Sequence, residues 1–139
     1  MTDLRGSILL VDDEEKILKA LGRALRDAGH GVVETTSPRH AQRLLAERAF
    51  DLMVVDNVMP ELNGLDLIRK VAALSKAIGT VLTSEFKEGI SKEDRRDDRI
   101  TGLLFKPYQP EQLVQLVARV AQVTQMRREL RKVSEDLRR

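Results

Sequence analysis

Apolar and polar residues alternate along this chain in two rhythms. Five short runs are apolar almost throughout: "SILLV" at 7–11, "GVVETT" at 31–36, "DLMVV" at 51–55, "GTVLT" at 79–83 and "TGLLF" at 101–105. Uninterrupted runs of this length suit strands that are covered on both faces. Between them, apolar positions recur every three or four residues. Ile17, Ala20, Leu21, Ala24, Leu25 and Ala28 make one stripe, which stops near Gly29. Ala41, Leu44 and Leu45 make a second after Pro38, and Leu65, Ile68, Val71 and Ala72 a third after Gly64. Leu113, Leu116, Val117, Val120 and Ala121 make the last, opened by Pro110 and Glu111 as a first helical turn should be. The pattern predicts a strand–helix unit repeated five times, and hence an α/β fold with a parallel sheet and helices on both faces.

One unit breaks the rhythm. From Ser91 to Arg99 the sequence is "SKEDRRDDR", without one apolar side chain. Such a segment has no stripe to bury, so packing cannot stabilise a helix there. A short, exposed or partly disordered turn is expected, mobile on a fast timescale. The last helix has the opposite character. From Pro110 to Arg139 it can run for about 45 Å at 1.5 Å per residue. Met126, Leu130, Val133 and Leu137 repeat at coiled-coil spacing, over fewer heptads than make a coiled coil secure. The segment reads either as the start of a signalling helix or as a solvated overhang.

Composition narrows the class. Of the 139 residues, 42% are apolar and 33% charged, which describes a globular chain with one core rather than a disordered one. The absence of cysteine excludes disulfides and thiolate metal sites. The polar start, Met1 to Arg5, and the short run behind it do not resemble a signal peptide, and no stretch approaches the roughly 20 apolar residues of a membrane span. A cytoplasmic location is expected. The segment 127–139 holds six basic and three acidic residues, so within the +2 of the whole chain residues 1–126 carry −1. With aromatics at 3%, the basic tail lacks the interleaved readers of a nucleic-acid surface, and no nucleic-acid partner is expected.

The chemistry gathers where the strands end. In open parallel sheets, ligands bind at the carboxyl edge. Asp12 and Asp13 follow the first strand, Asp56 the third, Thr83 and Ser84 close the fourth, and Lys106 and Pro107 close the fifth. Singly, each has a plain explanation: the acidic pair can cap a helix, for example. Together they describe a reactive site. Three converging carboxylates repel and raise one another's pKa unless a cation sits among them. An all-oxygen ligand set suits Mg²⁺, whose charge, with that of Lys106, balances three aspartates. An ionised, neutralised carboxylate is a nucleophile that needs no base, and a phosphoryl group is the electrophile that the metal and lysine can stabilise. Lys106 and Thr83 would then each serve one phosphoryl oxygen.

The acidic pair in "LLVDDEE", the acceptor strand "DLMVVDNVMPELNGLDLI", the hydroxyl after "TVL" and the ending "LLFKPY" resemble, in order and spacing, the receiver domains of bacterial two-component response regulators over about residues 7–121. The resemblance implies a flavodoxin-like doubly wound sheet of order 2-1-3-4-5, and phosphate transfer from a sensor histidine kinase or phosphotransfer protein to Asp56. It implies Asp13, Asp56 and the carbonyl of Val58 as direct Mg²⁺ ligands, with Asp12 acting through a metal-bound water. It makes Thr83 the switch hydroxyl and Lys106 the phosphate-contacting lysine, with a cis bond before Pro107. Residues 1–121 would be the receiver domain, and 122–139 a helical extension or linker toward an output domain, capable of weak self-association. The sequence departs from the family at Leu103, where an aromatic is common, and at "RRDDRITG", where small residues are common.

Two rival readings fail on particular residues. An aspartyl phosphatase with an external substrate needs a second carboxylate two positions after the nucleophile, where Val58 stands, so self-phosphorylation and auto-dephosphorylation are the only turnover expected. A nucleotide or flavin binder needs a glycine-rich first loop, where "VDDEE" stands. His30 and His40 are isolated and are expected at the surface.

Overall fold

The computed structural model describes residues 6–74, 77–85 and 89–138; the polar start at 1–5 and Arg139 lie outside them. Every apolar run of the sequence forms a strand: β1 (Ser7–Val11), β2 (Gly31–Thr35), β3 (Leu52–Asp56), β4 (Gly79–Glu85) and β5 (Gly102–Lys106). All neighbouring pairs are parallel, in the order β2-β1-β3-β4-β5 expected from the resemblance. The helices are α1 (Glu15–Asp27), α2 (Pro38–Glu47), α3 (Gly64–Ala73) and α4 (Pro110–Leu137).

Strand alternation divides the core in two. Ile8, Leu10, Val54 and Val81 face α1 and α4, where they meet Leu18, Leu21, Leu25, Leu113, Val117 and Val120. Leu9, Val11, Met53, Val55 and Leu82 face the other way, toward Ala41, Leu45, Leu67, Ile68 and Val71 of α2 and α3. β3 lies at the centre of the sheet and is buried at every position, so its apolar run has no polar alternation to show.

The helix ends follow local chemistry. α1 closes in a Schellman turn: Gly29, at φ 100°, donates to Arg26 O at 2.9 Å, and His30 donates to Leu25 O at 3.1 Å. Ser37 caps α2 by accepting from the His40 N–H at 3.2 Å, and Asn63 caps α3 by accepting from the Asp66 N–H at 2.8 Å. Gln109 and Gln112 bond reciprocally at the start of α4.

Between β4 and β5 the described residues hold only a short 3₁₀ turn, Asp94–Arg96. Its anchoring is polar. Arg69 of α3 reaches Asp66 at 3.3 Å, Asp94 at 3.4 Å and Asp97 at 3.3 Å. Arg99 bonds both oxygens of Asp97 at 2.8 Å, and this pairing holds the carboxyl down at about 2. Hydrophobic periodicity carries no trace of such a network, because ion pairs across elements have no sequence period.

The two histidines correct a sequence expectation. His30 is buried, and its Nδ1 accepts from the Gly6 N–H at 3.2 Å. His40 is half-buried, with Nδ1 3.0 Å from the Thr35 hydroxyl. Each sits beside a strand end, where one ring nitrogen finds a local partner and the rest of the ring packs.

α4 is a single uninterrupted helix that projects past the sheet. It is buried as far as Thr124, and Arg128 still touches the domain, donating through Nε to Ala77 O and through a guanidinium N–H to Asp51 Oδ1, both at 2.9 Å. Beyond it, Leu130, Val133 and Leu137 are exposed, as is Met126 on the same face.

Candidate functional site

The parallel sheet brings the carboxyl ends of β1, β3, β4 and β5 to one edge, and the predicted polar residues arrive with them. Asp56 is the last residue of β3 and lies opposite Thr83 in the β3–β4 register. This pairing selects Thr83 over its neighbour Ser84: the Thr83 hydroxyl donates to Asp56 Oδ1 at 3.4 Å, whereas the Ser84 hydroxyl donates to Glu85 O at 3.1 Å. Lys106, the last residue of β5, places Nζ 3.1 Å from the same Asp56 Oδ1. The bond after it, Lys106–Pro107, is cis.

Asp12 and Asp13 follow β1 and complete an acidic cluster with Asp56, with one oxygen of each carboxylate within 4.8 Å of the others. The two members of the pair differ in setting. Asp12 is buried, and its Oδ1 accepts from the Glu14 N–H at 2.9 Å; Asp13 is exposed at the mouth. The N-cap residue of α1 is Glu14, whose side chain makes no capping bond; Asp12 instead accepts from the N–H of that residue. Val58 lies two residues past Asp56 with its side chain exposed at the rim.

The electrostatics are those of a crowded anionic pocket. Burial, helped by the charges of Asp56 and Asp13, pushes the Asp12 carboxyl up to about 6 against the opposing Glu14 N–H and Lys106. Burial also raises Asp56, with Lys106 working against it. For Lys106 burial favours the neutral amine, but its bond to Asp56 outweighs this and holds its pKa above the usual value. Burial is the largest cause for both aspartates, and a cation among the carboxylates would favour their ionised forms. All-oxygen donors at this separation fit a hard divalent cation, and the buried Asp12 beside the exposed Asp13 leaves one open side for its waters.

Two neighbours were not singled out as site residues by the sequence. Asn57 ties the acceptor strand to its surroundings: Oδ1 accepts from the Leu65 N–H at 3.2 Å, Nδ2 donates to Gly89 O, and its own N–H donates to Thr83 O at 2.8 Å. Its only sequence signal is a second polar residue directly after Asp56. Gly64 opens α3, and the reason for a glycine there is steric. A Cβ there would lie 2.5 Å from the backbone oxygen of Asp56, so only glycine lets α3 start this close to the strand end.

Residues 8–118 match the family described as the response regulator receiver domain. The chain belongs to that family. Among curated relatives, this receiver domain is 30% identical over 106 residues to the alginate biosynthesis transcriptional regulatory protein AlgB of Pseudomonas aeruginosa, covering 76% of this chain and 24% of the relative. It is 29% identical over 101 residues to the response regulator receiver protein CpdR of Brucella abortus, covering 73% of this chain and 84% of CpdR. The chain therefore spans about a quarter of the alginate regulator but most of CpdR. Among solved structures, the chemotaxis response regulator CheY4 of Vibrio cholerae superposes with a TM-score of 0.76 at 26% identity, covering 84% of this chain and 98% of CheY4. Among the described residues of this receiver domain, no helix is long and apolar enough to cross a membrane.

Proposed function

We propose that this receiver domain is a cytoplasmic, phosphorylation-dependent signalling switch that accepts a phosphoryl group on Asp56 from a sensor histidine kinase or phosphotransfer protein. The observation that carries this reading is the convergence on one carboxylate oxygen: Lys106 at 3.1 Å and Thr83 at 3.4 Å both address Asp56 Oδ1, with Asp12 and Asp13 alongside. In the transfer, an Asp56 oxygen attacks phosphorus, the P–N bond of the phosphohistidine breaks, and imidazole departs with the bonding pair. In this reading Lys106 and Thr83 exchange the Asp56 oxygen for phosphoryl oxygens, one contributing charge and the other a directed donor. Asp13, Asp56 and the Val58 carbonyl are the proposed direct ligands of Mg²⁺, with Asp12 acting through a bound water. When bound, the ion supplies the positive charge that keeps the cluster ionised and offsets charge on the phosphoryl group. Val58 offers no acid/base group, so turnover of an external substrate is not part of the proposal.

The signal is proposed to leave through α4, with residues 1–121 as the receiver and 122–139 as the transmission helix toward an output domain or partner. Support comes from the continuity of α4 out of the core and from the exposed face of Met126, Leu130, Val133 and Leu137. A second copy of the same helix is the simplest cover for that face. Association is expected to be weak, because four partly buried side chains at roughly 1.5–3 kcal/mol each meet an association cost of about 4–15 kcal/mol.

The deciding experiment is incubation with a small acyl phosphate and Mg²⁺, followed by intact mass. One phosphoryl group should add to the wild type and none to Asp56→Asn or to chelated protein. A gain that persists in Asp56→Asn removes the assignment.

A further inference from the structure

A cavity of about 180 Å³ opens at the amino edge of the sheet, the end away from Asp56, between α3, the starts of β4 and β5, and α4. Part of its lining is apolar: Ile68 and Val71 of α3 are buried, and Ile78, just ahead of β4, is half-buried. The rest is polar and mostly basic. Arg99 is committed to Asp97, which it grips through two bonds at 2.8 Å. Arg127 and Arg131 are different. They are exposed, stand one helical turn apart on α4, and have no partner among the described residues. Like charges at this spacing mildly destabilise a helix, so an anion between them would offset a cost the fold now carries. Asp98 is the one other unpaired charge in the lining, which leaves the cavity with a net charge of +1.

Thr124 supplies an independent observation. It lines the cavity, is only 6% exposed, and its hydroxyl oxygen has no hydrogen-bond partner. Buried polar groups are nearly always satisfied, so an orphan beside a cavity calls for a partner within it. The oxygen lies against Gly79, and a helical threonine has two χ1 rotamers in common use, so a turn about χ1 is open to it.

We propose that this cavity binds a small organic carboxylate. Arg127 and Arg131 hold the carboxylate, the Thr124 hydroxyl turns and donates to it, and an apolar body lies on Ile68, Val71 and Ile78. Guanidinium groups suit this role because their planar forks match the geometry of a carboxylate. The size agrees: an apolar cavity of about 150 Å³ accommodates benzene, whereas drug-sized ligands need roughly 300–1,000 Å³. A bare inorganic anion would leave the apolar wall uncovered. Bound there, the ligand joins α3 to α4 where α4 leaves the core, beside the bond from Arg128 to Asp51. The site is separate from the phosphoacceptor edge and does not depend on that reading.

The test is a titration of the isotope-labelled full chain at constant ionic strength, followed by amide chemical shifts. Benzoate is the probe, benzamide its neutral counterpart, and inorganic phosphate an anion without an apolar body. Benzoate should give saturable shifts confined to 68–72, 77–80, 98–101 and 124–131, with a Kd on the order of 1 mM. Benzamide and phosphate should each bind roughly 5- to 10-fold more weakly. Arg127→Gln combined with Arg131→Gln should weaken benzoate by a similar factor, and Thr124→Val by roughly 3-fold. Arg138→Gln, on the same helix but outside the cavity, should change nothing. The thermal midpoint of Thr124→Val should equal or exceed wild type, since Val keeps the shape and removes the unpaired oxygen, so its weaker binding would not reflect unfolding. Equal binding of benzoate and benzamide, or undiminished binding in the double arginine variant or in Thr124→Val, overturns the proposal. Tighter binding of phosphate than of benzoate overturns the carboxylate class. Shifts of the same amides that follow protein concentration without benzoate would seat a second copy of the chain on the cavity, and overturn it as well.

Discussion

Arg128, near the middle of the second half of α4, donates to Asp51 Oδ1 at 2.9 Å, joining residues that are 77 positions apart in the chain. Asp51 precedes β3 and also accepts from the Ser7 N–H at 2.8 Å, so a single carboxylate links α4, β1 and β3. Burial would raise this carboxyl, but the bond and charge of Arg128 and the Ser7 N–H hold it below the usual value.

Arg128→Ala should therefore lower stability, though modestly. Both side chains are more than a third exposed, at 39% and 44%, so screening limits the loss to about 0.5–1 kcal/mol by urea denaturation. The Asp51 share of that stability is present above pH about 4 and is lost on acidification, because its folded pKa lies below the unfolded one. A fragment ending at Ala121 should lose more than Arg128→Ala does, since it also lacks Thr124, which is buried against Gly79.

The acidic cluster makes metal binding pH-dependent. With the Asp12 carboxyl raised to about 6, a proton must leave before the cluster holds a cation fully, and Mg²⁺ affinity should fall about tenfold from pH 7 to pH 5. The sign for the metal-free protein is the reverse of the Asp51 case. Its folded state keeps a proton that the unfolded chain has lost, so stability should fall as pH rises from about 4 to about 6, and Mg²⁺ should restore it. Mg²⁺ titrations should also show a larger loss in Asp13→Ala than in Asp12→Ala, because only Asp13 is proposed to touch the ion. Equal losses would move the ligand assignment.

Gly64→Ala probes the approach of α3 to the acceptor. The added methyl would lie 2.5 Å from Asp56 O and 2.8 Å from a Leu82 methyl, and the backbone oxygen cannot step aside as a flexible side chain would. A loss of about 1–3 kcal/mol is expected, with slower phosphoryl uptake because Asp56 shifts with its strand end. Unchanged melting and unchanged uptake would mean that α3 moves freely, against this packing.

Arg69→Ala should release the segment 91–99. Its apolar-free sequence leaves the contacts of Arg69 with Asp94 and Asp97 as its tie to α3. Amide exchange across 91–99 should rise severalfold while global stability changes by less than about 1 kcal/mol. Exchange that is already at the unprotected rate in wild type would show the network to be without effect.

Leu130→Glu addresses the exposed face of α4. Leu130 is 64% exposed, so the change should leave the fold intact and abolish any concentration-dependent association seen by sedimentation. Association that survives it would place the contact elsewhere on the molecule.

How far did the sequence go alone? It determined the elements, because strand and helix periods are properties of neighbouring residues: every strand and the stripes of α1, α2, α3 and α4 were legible as apolar runs and repeats. The gathering of polar residues was legible too, since a parallel sheet brings the carboxyl ends of its strands to one edge, and Asp12, Asp13, Asp56, Thr83 and Lys106 all stand there. Contacts between distant positions were left to the tertiary structure. The register of β4 against β3 decided that Thr83 rather than Ser84 meets Asp56. The packing of helix on sheet buried His30 and drew the Tyr108 ring into the cluster of α1, α4 and the sheet. The Arg69 network and the Arg128–Asp51 bond belong to the same class. Each depends on where two elements come to lie against each other, which burial and backbone geometry settle together and no local pattern encodes.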